Sequence, residues 1–169
     1  MISLAQLNAL TSAEFVRLIG PVFEHSPWIA EATWPQRPFA RLDELHRALC
    51  QTVGNVGAEK QLALIRAHPD LVGRLALAGA LTAASTTEQA RAGLDRLSPE
   101  EVGQFQSNNA AYLARFGFPF VICARLNHKQ AILAGFVTRL QNSPEQEMKT
   151  ALAEIGKIAY LRLQDIVQP

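Results

Sequence analysis

Four places in the chain combine residue types and spacings that can do chemistry. The first is His68-Pro69-Asp70. Proline disfavours helical geometry at the residue before it, so a preceding helix should end near Ala67 and leave His68 on a junction. Imidazole is the side chain best suited to proton transfer near neutral pH. A junction histidine can equally serve the end of a helix dipole, with Asp70 capping the next helix. The pattern alone leaves both readings open.

The second place is Ser85-Thr86-Thr87-Glu88. Ser85 as N-cap and Glu88 at the third helical position would form an ordinary capping box. A carboxyl group facing an apolar pocket would instead be pushed towards its neutral form, against the pull of the helix field. The third is Arg162. Ile155, Ala159, Arg162 and Ile166 follow i, i+4, i+7 and i+11, so the arginine falls on an apolar stripe and must snorkel or find an acceptor. Its planar fork suits an anionic or urea-like ligand. A structural ion pair with Glu14, Asp43 or Glu101 is the other reading. The fourth is Phe116-Gly117-Phe118-Pro119-Phe120, where glycine and proline interrupt the element after Arg115. Such a segment exposes backbone N–H groups between aromatic walls, a setting for carbonyl or carboxylate oxygens, or else a hydrophobic turn.

The other histidines, His25, His46 and His128, are scattered, and none makes an HxxxH or HExxH pair. No metal site is expected. His46 and His128 read as solvated helix residues, and His25 has no evident partner. Cys50 and Cys123 have no framework spacing and are expected reduced and buried.

Helices must position these groups. Ser98-Pro99-Glu100-Glu101 reads as N-cap, proline at the first turn and glutamate at the third position. Val102, Phe105, Asn109, Tyr112, Leu113 and Phe116 follow at helical spacing, with Asn109 the polar exception. A second helix opens at Asn127-His128-Lys129-Gln130, with Ile132, Leu133, Phe136, Val137 and Leu140 as its stripe. A third starts at Ser143-Pro144-Glu145-Gln146 and runs to about Val167. The first half is choppier. Short helices are expected over Leu4–Leu10, Ala13–Ile19 and Pro27–Ala32, broken by Pro21, Pro27, Pro35 and Pro38. Longer ones follow over Leu42–Val53 and Ala58–Ala67. Only Phe120–Ala124 could be a strand, and one strand cannot pair. The expected fold is all-α: a single irregular helical domain, residues 1–169, of about eight helices.

Composition bounds the function. The chain has 169 residues, 49% apolar and 18% charged, with a formal net charge of +1. Near-neutral charge with dispersed arginines argues against a nucleic-acid binder, which needs a basic stripe. No apolar run approaches a membrane span, and the N-terminus lacks the basic head and apolar core of a signal peptide. The C-terminus is no peroxisomal address. A soluble cytoplasmic protein without a membrane partner is expected.

The same segments carry a resemblance to one family. His68-Pro69-Asp70-Leu71, Ser85-Thr86-Thr87-Glu88-Gln89 with Ala92-Gly93-Leu94, and Arg115-Phe116-Gly117-Phe118-Pro119-Phe120 match in order. Arg139-Leu140-Gln141-Asn142 and Lys157 through Leu163 extend the match, over about residues 8 to 167. The chain thereby resembles 2-oxo-4-hydroxy-4-carboxy-5-ureidoimidazoline (OHCU) decarboxylase, which completes urate breakdown to (S)-allantoin. The resemblance implies an all-helical enzyme with no cofactor and no metal, a small-molecule substrate, and often a homodimer. It implies that His68 and Glu88 are catalytic. It makes Pro69, Ser85, Gln89 and Arg162 pocket residues, and Phe118, Phe120, Val121 and Ile122 a segment contacting substrate by ring and backbone. The missing peroxisomal tail fits a bacterial version. Two rivals remain: a related pocket with another urate-like substrate or lost activity, and a helical interaction module. The module predicts His68 and Glu88 far apart.

Overall fold

Local hydrogen-bonding rules explain most of the element boundaries in the computed structural model, which describes residues 1–73, 79 and 81–168. Among the described residues the helices are α1 (Leu4–Ala9), α2 (Ser12–Ile19), α3 (Trp28–Thr33), α4 (Leu42–Gly54), α5 (Ala58–Arg66), α6 (Ala83–Arg91), α7 (Pro99–Phe116), α8 (Lys129–Arg139) and α9 (Pro144–Ile166). Short 3-10 turns occupy Gly20–Val22, Trp34–Gln36 and Ala124–Leu126. The described fold is all-α, as the sequence predicts.

The caps show why these helices begin where they do. Ser3 with Gln6, Thr11 with Glu14, and Ser98 with Glu101 form reciprocal capping boxes on α1, α2 and α7. His128 caps α8 through Nδ1, which accepts from the Ala131 N–H at 3.2 Å. The Ser85 box does not form. α6 starts a turn earlier, with Thr82 as N-cap accepting from the Ser85 N–H at 3.2 Å. Threonine competes for this role as well as serine does, and the earlier start carries Ser85 and Glu88 into the helix body.

Contacts gather the chain into two compact units, Met1–Ala67 with Ile155–Pro169, and His68–Glu154. The first unit packs Leu7, Phe15, Ile19, Ile29, Leu45, Leu49, Leu64 and Ile65 into its core. Strand β1 (Ile2–Ser3) pairs in parallel with β2 (Val167–Gln168), Ile2 opposite Val167. The strand candidate at Phe120–Ala124 is instead extended chain leading into a 3-10 turn. His46 is not simply solvated. Its Nε2 lies 2.8 Å from the Gly156 carbonyl, and its ring packs edge-on to Tyr160.

The second unit is built round aromatic rings. Phe105, Tyr112, Phe120 and Phe136 are all buried, and Phe120 stacks on Phe136 at 3.8 Å between ring centres. The buried stripe of α8 differs from the expected one. Val137 is exposed, while Ile132, Phe136 and Arg139 point inward. On α7, Leu113 is likewise exposed.

Candidate active site

The second unit assembles most of the candidate residues from three segments. The first segment follows α5. The helix stops at Arg66, and the Ala67 N–H still bonds back to the Ala63 carbonyl at 3.0 Å. Pro69 then prevents continuation. His68 is buried, 7% exposed. Pro69 and Asp70 are half-buried. A turn closes from the Gly73 N–H to the Asp70 carbonyl at 3.3 Å. A side chain at Gly73 would place its Cβ 2.5 Å from Asp70 Cβ, so only glycine fits. Val72 has φ +55°, a conformation that β-branched residues rarely adopt. No helix begins directly after Asp70, because Leu71 and Val72 lie in that turn.

The second segment is α6. Ser85, Glu88 and Gln89 are buried on it, with Glu88 8% exposed. The Gln89 Oε1 accepts from the Val72 N–H at 3.2 Å and so ties the His68 turn to this helix. The C-terminus of α6 explains Ala92-Gly93-Leu94. Gly93 takes the left-handed φ of +78°, its N–H bonds the Ala90 carbonyl, and the Leu94 N–H bonds the Gln89 carbonyl. That is a Schellman closure with a buried Leu94 behind it.

The third segment runs from Gly117 to Leu126. Gly117 ends α7 with φ +74°. Phe118, Phe120 and Val121 are buried and Ile122 is half-buried. The two phenyl rings are occupied by the core, Phe118 and Phe120 each meeting Tyr112 edge-on. α6 packs against the 3-10 turn at Ala124–Leu126. Glu88 is close enough to Cys123 that its charge joins burial and Glu154 in pushing the Cys123 thiol pKa up. Both cysteines are free, and Cys50 is half-buried rather than buried. His68, Pro69, Ser85, Glu88, Gln89, Phe118, Phe120, Val121 and Ile122 thus share one unit, on segments tied to one another.

Arg162 belongs to the first unit. It is buried, and its NH1 donates to Glu24 Oε2 at 2.9 Å and to the Val22 carbonyl at 3.3 Å. The ion-pair partner is Glu24, not Glu14, Asp43 or Glu101. Helical spacing could not find it, because 138 residues separate the two. The first unit also holds a cavity of about 390 Å³ lined by Leu4, Leu42, Asp43, Tyr160, Gln164 and Val167 among others, and none of the expected site residues lines it. Among the described residues no group of histidine, cysteine and carboxylate side chains could hold a metal ion.

Sequence reasoning missed a second buried arginine. Arg139 donates through Nε to Glu147 at 2.7 Å and through NH1 to the Val121 carbonyl at 2.7 Å. Glu147 is completely buried and also accepts from the Tyr112 hydroxyl and from Asn142 Nδ2. Burial and the neighbouring carboxylate push the Tyr112 pKa far up, so its hydroxyl stays a donor. The signal was present: Ile132, Phe136 and Arg139 follow i, i+4 and i+7, the spacing that singles out Arg162.

Comparison with known proteins gives a consistent result. The family model described as OHCU decarboxylase matches residues 8–164. The 2-oxo-4-hydroxy-4-carboxy-5-ureidoimidazoline decarboxylase of Amia calva is 45% identical over 163 residues, 96% of this chain and 93% of that protein. The protein of the same name from Haloferax volcanii is 43% identical, covering 97% of this chain and 95% of its own length. A crystal structure of (S)-allantoin synthase superposes with a TM-score of 0.81 at 29% identity, covering 99% of this chain. This chain spans 54% of that longer one.

Proposed function

The chain belongs to the OHCU decarboxylase family, and from that premise we propose that His68 and Glu88 carry its proton transfers. The enzyme is a carboxy-lyase that converts OHCU to (S)-allantoin in purine catabolism. The observation that carries the assignment is the burial of both side chains in one unit, on two segments joined by the Gln89–Val72 hydrogen bond.

The substrate supplies its own electron sink. As the bond from C4 to the carboxylate breaks, the electron pair enters C4–C5. The C5 imine π pair moves to the ring nitrogen, which takes a proton. The resulting enol becomes the C4 carbonyl when its hydroxyl loses a proton and C5 gains one. Overall, one proton is consumed and one carbon dioxide released. In this reading His68 receives the C4 hydroxyl proton, and Glu88 delivers the proton to one face of C5, which sets the S configuration. Pro69 and Ser85 shape the pocket. Gln89 and backbone N–H groups of Phe118, Phe120, Val121 and Ile122 hold ring and ureido oxygens. The rings of Phe118 and Phe120 serve the core, so their share of substrate contact falls to the main chain. Holding the carboxylate perpendicular to the ring and excluding water supply the rest of the acceleration.

The same reading takes the whole chain, residues 1–169, as one functional domain. It includes a homodimer, no nucleic-acid partner, and a cytoplasmic, bacterial setting. The relatives include animal and archaeal proteins, so membership of the family does not select a source. No described helix is long and apolar enough to cross a membrane. Chiral analysis of allantoin made from freshly generated substrate tests the division of roles. Glu88→Gln is expected to give slow, largely racemic product. Pure (S)-allantoin at the parent rate would remove Glu88 from the proton-delivery step.

A further inference from the structure

We propose that Arg139 is a positioning residue for substrate binding: through the Val121 carbonyl it aims the Ile122 N–H at a substrate oxygen. The inference rests on the reading of Phe118–Ile122 as a substrate-contacting segment. It adds the device that makes irregular chain rigid enough for that task.

Main chain outside helices and sheets has few internal bonds to hold its peptide planes. Here two successive planes are held by buried side chains. The Val121 carbonyl accepts from Arg139 NH1 at 2.7 Å, and the Cys123 N–H donates to Glu154 Oε2 at 2.8 Å. In a trans peptide the C=O and the following N–H point in opposite directions. Fixing the Val121 carbonyl on Arg139 therefore fixes the Ile122 N–H on the other side. Among the described residues no backbone carbonyl pairs with that N–H. An oriented amide beside buried aromatic rings is a suitable donor for a neutral or anionic oxygen.

Arg139 is itself immobilised. Its Nε is bound to Glu147, its NH2 reaches the Tyr112 hydroxyl at 3.4 Å, and its guanidinium carbon lies 4.3 Å from the Phe120 ring centre. Glu147 is in turn anchored by Tyr112 and Asn142. A lysine at 139 would keep the charge and lose the fork, so it could not hold Glu147 and Val121 at once.

The test is a titration of the isotope-labelled full-length chain with (S)-allantoin, following backbone amide resonances, for the parent, Arg139→Lys and Tyr112→Phe. The parent is expected to shift its Ile122 amide on binding. Arg139→Lys is expected to weaken binding about tenfold and to shrink that shift, and Tyr112→Phe to weaken it about two- to threefold. Tyr112→Phe keeps every ring contact, so it gives a result even where Arg139→Lys fails to fold. An Ile122 amide that ignores allantoin in the parent overturns the substrate-contact reading, and this inference with it. An amide that responds in the parent and responds identically, with the same Kd, in the folded variants overturns the role of Arg139 alone. A purely structural arginine would lower the melting temperature and leave that Kd unchanged.

Discussion

The two units bury polar side chains to different ends. In the first, Thr33 and Thr52 hydrogen-bond each other at 2.7 Å, and Thr52 also reaches the Ala48 carbonyl at 3.0 Å. Arg37 serves the same purpose at the surface. It donates to the Asn8, Leu10 and Trp34 carbonyls while lying over the Trp34 ring. The threonine pair joins α3 to α4, and Arg37 closes irregular chain on itself. In the second unit His68, Ser85, Glu88 and Gln89 are buried on one junction and one helix, and Arg139 with Glu147 holds a stretch of main chain between helices. Burying polarity is costly in either place. Under the proposed function the difference lies in what the cost secures: structural closure in the first unit, which also buries the Arg162–Glu24 pair, and groups proposed for proton transfer and substrate binding in the second.

That contrast can be broken by experiment. The largest expected effect is from His68→Asn, which should lower kcat on fresh OHCU by about 10³-fold while leaving the far-ultraviolet spectrum of the folded protein intact. Full decarboxylation by the folded variant would end the assignment. Glu88→Gln should cost about 10²-fold in the same assay, beyond its loss of product chirality. Thr33→Val belongs to the other side of the comparison. It should cost about 1 kcal/mol in urea unfolding, since the Thr52 hydroxyl loses a partner, with kcat and KM unchanged. A loss of activity at undiminished stability would erase the distinction between the units.

The smallest effect is electrostatic. The Lys129 ammonium and the Ser98 N–H hold the Glu101 pKa below the usual 4.5. A carboxylate whose folded pKa is lowered binds fewer protons folded than unfolded. Its contribution is therefore complete above the unfolded value and fades as pH falls through the folded one. Glu101→Gln should therefore lower stability slightly near neutral pH, and its difference from the parent should vanish as pH falls through that window, measured by helical circular dichroism against pH. The pair is only half-buried, so added salt should shrink the difference.

Much of this molecule is legible in its sequence wherever the governing interaction is local. Pro69 ends α5 within one residue of the expected place, and Ser98 starts α7 where proline and glutamate say it must. The misreadings are also instructive. Thr82 and Ser85 are both competent caps, and choosing between them decides whether Glu88 sits in the first turn or is buried deeper in the helix. Val137 and Arg139 both neighbour Phe136 on α8, and hydrophobicity alone put the wrong one inside. A buried arginine looks like a surface residue until its acceptors are known.

The sequence by itself determined the helical class, the helix boundaries set by caps and prolines, and the ordered segments that mark the family. These depend on hydrogen bonds within a few residues or on motifs that survive as strings of letters. Tertiary structure alone decided that Arg162 pairs with Glu24 across 138 residues, that Gln89 holds the turn after His68, and that Arg139 grips the Val121 carbonyl. Pairings of that kind are fixed by which surfaces meet when the core closes. No local rule fixes the partner of a buried charge, and only the requirement that it have one can be read in advance.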